Sequence, residues 1–87
     1  MSTTALDTPI ATRVLATPDG PVTVVFGRPY PRPDDPRITL CPCRIGDRPV
    51  NLVPGLDDIH AFLTAVRLVG AVLGLPADWP VTQPSAA

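Results

Sequence analysis

Residues 54–76, PGLDDIHAFLTAVRLVGAVLGLP, constrain this chain more than any other stretch. They specify one helix, bounded at both ends, with more apolar surface than a small domain needs. Gly55 closes the preceding segment. Asp57 is placed as N-cap, its carboxylate accepting from the free N–H groups of the first turn, and Asp58 adds charge at the positive end of the helix dipole. Gly74 suits a left-handed C′ position, with Leu75 folding back onto Val69 and Pro76 forbidding continuation. On a 100° wheel, Asp57, His60, Thr64, Arg67 and Ala71 form one narrow polar stripe. Leu56, Ile59, Phe62, Leu63, Val66, Leu68, Val69, Val72 and Leu73 cover most of the rest. One sheet covers a stripe somewhat wider than about 100°; this helix offers roughly twice that.

The surplus needs a destination. A membrane is a poor one: the run is near the minimum of about 17–25 residues for a span and carries Asp57, Asp58, His60 and Arg67. The 87 residues make one small domain, which has no deep core to receive it. A second copy, a larger partner, or the chain's own tails remain. Gly70 and Gly74, with Ala61, Ala65 and Ala71 beside them, permit close backbone approach, for which helix-on-sheet packing and a C-cap are the ordinary uses.

Before the helix the chain alternates as strands do. Residues 1–8 read as a frayed N-terminal segment. Ile10–Thr17 and Val22–Arg28 form a hairpin across Pro18-Asp19-Gly20, with Val22, Val24 and Phe26 on one face. The stretch from Arg28 to Arg37 holds four prolines and reads as a stiff loop, since proline removes donors and favours polyproline II backbone. Arg37–Ile45 and Pro49–Val53 form a second hairpin across Gly46-Asp47-Arg48, with Pro42 and Pro49 pointing to an exposed edge or bulge. The expected fold is α+β, a four-stranded antiparallel sheet of two hairpins with one C-terminal helix on one face, ββββα. It occupies residues 9–76, and 77–87 form a loose tail from which Trp79 can dock onto the helix.

The stretch FGRPYPRPDD…ITLCPCRIGD…GLDDIHAFLTAVRLVGAVLG resembles a family of short bacterial proteins classed as a domain of unknown function. The pattern is a strand ending in Gly-Arg-Pro, a later strand with Cys-x-(aromatic)-x-Ile-Gly, and a helix opening on Gly-(Val/Leu)-Asp. Gly27, Arg28, Pro29, Cys41, Ile45, Gly46, Gly55, Leu56, Asp57, Ala61 and Gly70 match it. Cys43 stands where an aromatic is usual, and His60 where Gln is usual. The resemblance supports the ββββα reading and implies no activity, cofactor or catalytic residue.

Composition narrows the classes. The formal charge is −1, so no global field draws the protein to nucleic acid or anionic lipid. The N-terminus lacks the regions of a signal peptide, and the cytoplasm is the expected location. Cys41 and Cys43 point to one face of a strand. Zinc needs about four ligands, and His60 is the only other soft donor, which leaves such a site one short. Buried free thiols are the ordinary reading. His60 between Asp57 and Thr64 imitates a base–orienter pair only if a cysteine converges on it. Arg28, Arg32 and Arg37 with Tyr30 make the only basic-aromatic cluster, largely neutralised by Asp34 and Asp35.

These features assign no catalytic residue, metal or cofactor. They favour a non-catalytic protein-binding or accessory protein acting through the apolar helix face, with itself or another protein as partner, at Leu63, Val66, Gly70 and Leu73, and at Tyr30 and Arg32 in the stiff loop. The alternatives are a metal- or redox-active domain centred on Cys41, Cys43 and His60, and an immunity or antitoxin-like protein that masks a partner.

Overall fold

The computed structural model describes residues 9–81, so the expectations for residues 1–8 and 82–87 lie outside the described residues. The chain forms β1 (Pro9–Thr17), β2 (Gly20–Gly27), β3 (Tyr30–Arg32), β4 (Asp35–Ile45), β5 (Asn51–Gly55) and α1 (Asp58–Leu73). One antiparallel sheet lies under one C-terminal helix, the α+β ββββα arrangement, with its second strand in two pieces.

That break corrects the reading of Arg28–Arg37 as a loop. Thr39, Leu40 and Cys43 each pair with β5 on one side, which leaves a single opposite edge of β4 for β2 and β3 together. Along that edge Phe26 faces Cys43 and Tyr30 faces Leu40, so four steps of one chain oppose three of the other. The extra residue is absorbed at Arg28-Pro29, as a bulge absorbs it. Prolines are tolerated because β3 is only three residues long and irregular in register. Pro42 lies in the gap between the two ladders, where a strand can lack a donor without breaking a pair on that edge.

The helix ends follow the sequence. Asp57 is the N-cap, accepting from the His60 N–H at 2.8 Å, and Gly74 takes φ 63°, with its N–H and that of Leu75 both donating to the Gly70 carbonyl. Paired strand residues share a face, so Leu15, Val24, Phe26, Cys41, Cys43, Ile45 and Val53 form the helix-side core. The helix meets them with Ala61, Ala65, Val66 and Val69. Small residues at the centre of this stripe let α1 lie close to the sheet, and Phe62 adds an edge-on contact to Phe26 at 5.3 Å between ring centres. No helix among the described residues is long and apolar enough to cross a membrane.

Trp79 folds back onto the helix. Its indole N–H donates to the Val66 carbonyl at 2.8 Å, the Arg13 guanidinium stacks on the ring at 5.1 Å, and an Arg13 Nη donates to the Pro80 carbonyl at 2.8 Å. Gly70 makes room for the ring: a Cβ there would lie 2.9 Å from Trp79 Cδ1. In Gly70→Ala, about 1 kcal/mol of helix propensity is gained and about 1–3 kcal/mol is lost to overpacking. Since the indole sits on a tail, it yields before the helix does. The expected result is a red shift in the emission of the single tryptophan with no rise in melting temperature. A blue-shifted or unchanged spectrum would show that Trp79 does not rest on Gly70.

Candidate functional site

Three side chains on the outer surface of α1 and its lead-in form the site: Leu56 is 80% exposed, Ile59 74% and Leu63 44%. Ile59 and Leu63, four apart, lie along one line of the helix surface, and Leu56 stands just before them, ahead of the extended Asp57 N-cap. They are exposed because Ala61, Ala65 and Val69 already fill the sheet-facing stripe. Trp79 covers only the C-terminal half of the surplus. Large apolar groups in contiguous array, unlike scattered ones, mark contact surfaces.

The structure redistributes the residues named from the sequence. Leu63 is on this ridge. Val66 is only 6% exposed, packed into the core with Trp79 beside it, and Gly70 sits beneath the indole, so neither is offered to a partner. Leu73 is half-buried against the core. Tyr30 is half-buried in β3 and Arg32 is exposed, with its Nε 2.7 Å from Asp34 Oδ1. Leu56 and Ile59, the most exposed of the three, were legible as apolar positions but carried no signal that the sheet would pass them by.

Beside the ridge lies a pocket of about 230 Å³ lined by Ala11, Arg13, Phe26, Phe62, Val66 and Trp79 among others. Cavities near 150 Å³ hold a benzene-sized group, so this one holds a side chain. Its walls come from β1, β2, the helix and the tail, and local patterning gives no hint of it. A wider crevice of about 750 Å³ lies between the β1–β2 and β4–β5 turns, with Val22, Ile45 and Leu73 on its walls and Arg44, Asp47 and Arg48 at its polar side.

The polar candidates are occupied in local structure. Leu56 N–H donates to His60 Nδ1 at 2.9 Å while His60 N–H donates to Asp57, a reciprocal cap that closes the first turn from both sides. Thr64 Oγ1 donates to the His60 carbonyl. His60 is exposed, whereas both thiols are fully enclosed and free. Desolvation pushes each thiol up to about 11, with Cys43 and Asp58 adding to the effect at Cys41. A thiolate nucleophile or metal ligand needs the opposite environment. Cys41 Sγ instead donates weakly to the Gly27 carbonyl at 3.8 Å, the acceptor released where the β2 ladder ends. Among the described residues no three His, Cys, Asp or Glu side chains are grouped so as to hold a metal ion.

The basic-aromatic segment is likewise internally paired. Arg37 binds both carboxylate oxygens of Asp35 at 3.0 and 3.2 Å, holding that carboxyl below its usual range, and Arg32 pairs with Asp34. Exposed pairs of this kind contribute little stability, but they leave few free cations for a phosphate backbone.

No family model, curated protein or solved structure matches the chain. The resemblance to the bacterial family rests on its motif residues alone. Several of those have structural duties here: Gly27-Arg28-Pro29 at the strand break, Cys41 in the core, and Gly55-Leu56-Asp57 at the helix entry.

Proposed function

We propose that the protein is a non-catalytic binding or accessory module that associates, with itself or with another protein, through the Leu56–Ile59–Leu63 ridge of α1. The exposure of Ile59 and Leu63, on a helix whose sheet-facing stripe is already filled, and of Leu56 just ahead of its N-cap carries this reading. Enclosing one such side chain stabilises a complex by roughly 1.5–3 kcal/mol, and an interface needs only a few anchors of that size.

The experiment compares the wild-type chain with a Leu56→Asp/Leu63→Asp variant by light scattering across a concentration series and by retention of other proteins on the immobilised chain. Both positions are exposed or half-exposed, so the melting temperature should stay within a few degrees. Association present in the wild type and absent in the variant is expected. A wild type that neither self-associates nor retains a protein, or association unchanged in the variant, would defeat the reading.

A further inference from the structure

Independently of the helix ridge, we infer that the pocket between β1, β2, α1 and Trp79 binds a small aromatic carboxylate. The ring lies against Phe26, Phe62 and Trp79, and the carboxylate meets the Arg13 guanidinium. Three observations carry this assignment. The first is how the walls are held. The Trp79 indole N–H donates to the Val66 carbonyl at 2.8 Å, an Arg13 Nη donates to the Pro80 carbonyl at 2.8 Å, and Phe26 and Phe62 meet edge-on. Both strands, the helix and the tail are thereby tied together around the cavity by the chain's own contacts. A site formed beforehand loses little affinity to ordering itself.

The second is size. Cavities near 150 Å³ accept benzene, with six non-hydrogen atoms. At the same space per atom, about 230 Å³ accepts roughly nine. A phenyl ring bearing one carboxylate has nine. A nucleotide is too large for this volume, and a lone inorganic anion would leave three aromatic walls uncovered.

The third is Arg13 itself. It stands opposite Val24 on β1, on the face where Leu15 and Val24 are fully buried. A guanidinium has five N–H donors in a planar fork; the Pro80 carbonyl takes one, and the Trp79 ring lies under the group at 5.1 Å. Among the described residues no carboxylate pairs with it. A charge turned inward also discourages pairing at an edge strand, and β1 is one. Any cation would serve that purpose, and none of it requires a fork beside an aromatic pocket. Arginine matches the planar carboxylate, two N–H groups to two oxygens. The apolar walls therefore select a ring and Arg13 selects its charge. The pocket shares no lining residue with Leu56, Ile59 or Leu63, so this inference and the ridge reading succeed or fail separately.

The test titrates benzoate and benzamide, equal in size and unequal in charge, into the full chain. Binding is read from the emission of the single tryptophan and from amide NMR shifts. Benzoate should bind with a dissociation constant on the order of 0.1–1 mM, about tenfold tighter than benzamide. Acetate, which lacks the ring, should not compete at about tenfold excess over benzoate. Arg13→Gln should abolish the preference for benzoate and keep the affinity for benzamide within about twofold. Ala11→Leu fills the cavity from β1 and leaves Arg13 in place, so it should weaken both ligands about tenfold or more. Benzoate that fails to bind at about 10 mM, benzamide that binds equally well, or displacement by acetate would each overturn the inference. So would a benzoate preference that survives Arg13→Gln, or unchanged binding in Ala11→Leu.

Discussion

Gly55→Ala should be among the most destabilising single-methyl additions available in this protein. Gly55 ends β5 opposite Thr39, and the first full turn of α1 crosses directly above it. A Cβ at this position would lie 2.5 Å from Ala61 Cα and 2.9 Å from Ala61 Cβ, and would also collide with the Ala61 nitrogen. Those atoms belong to a helix backbone whose Ala61 N–H is already bonded to the Asp57 carbonyl at 2.9 Å. No side-chain rotation relieves the clash; the helix entry must move. Overpacking costs typically 1–3 kcal/mol, and a collision with backbone belongs at or above the upper end. For a domain of this size, about 3 kcal/mol lowers the melting temperature by roughly 12–24 °C. Gly74→Ala provides the contrast: its φ of 63° strains any side chain, but no atom lies within 4 Å of the new methyl, so about 1–2 kcal/mol is expected. Thermal unfolding of the two variants side by side separates crowding from backbone strain. Equal losses would mean that Gly55 is not the point where the helix rests on the sheet.

The same close approach shows where sequence reasoning reaches its limit. The caps of α1 were legible because capping is local: Asp57, Asp58, Gly74 and Pro76 act on backbone groups within one turn. The β1–β2 hairpin was legible for the same reason, with alternation on both sides of Pro18-Asp19-Gly20. Which helix face turns inward was not. A wheel weighted by side-chain size points the large residues Leu63 and Val66 in competing directions, whereas the sheet selects Ala61, Ala65 and Val69 because small residues permit contact at Gly55. Likewise, the prolines of Arg28–Arg37 correctly exclude a regular central strand but do not exclude a three-residue edge piece beside a bulge. Trp79 was identifiable as an anchor, but its seat on Gly70 and its Arg13 clasp join segments far apart in sequence. The pocket inherits that distance. A site assembled from β1, β2, the helix and the tail leaves no spacing for a motif to record.

Alkaline pH should destabilise the fold through Cys41 and Cys43. Both thiols are fully enclosed on the helix side of β4, and desolvation raises each from an ordinary 9.0 to about 11. The sign follows from proton binding. Below about pH 9 the thiols are protonated whether the chain is folded or not, and their contribution is complete. Between pH 9 and 11 the unfolded chain releases both protons while the folded chain holds them, so the unfolded state gains and stability falls as pH rises. Above about 11 the loss levels off. It amounts to on the order of 2–3 kcal/mol for each thiol, with the charges of Cys43 and Asp58 adding to the burial effect at Cys41. Together that is comparable with the whole stability of a marginal domain, 5–15 kcal/mol. Urea midpoints measured at intervals from pH 8 to 11 should decline steeply for the wild type and about half as steeply for Cys43→Ala, after allowing for the smaller side chain at pH 8. The alanine must be compared by slope and not by absolute midpoint, because removing a buried sulfur also leaves a void. A slope that is the same with two thiols, one or none would place the alkaline transition elsewhere and would mean that water reaches the sulfurs in the folded protein.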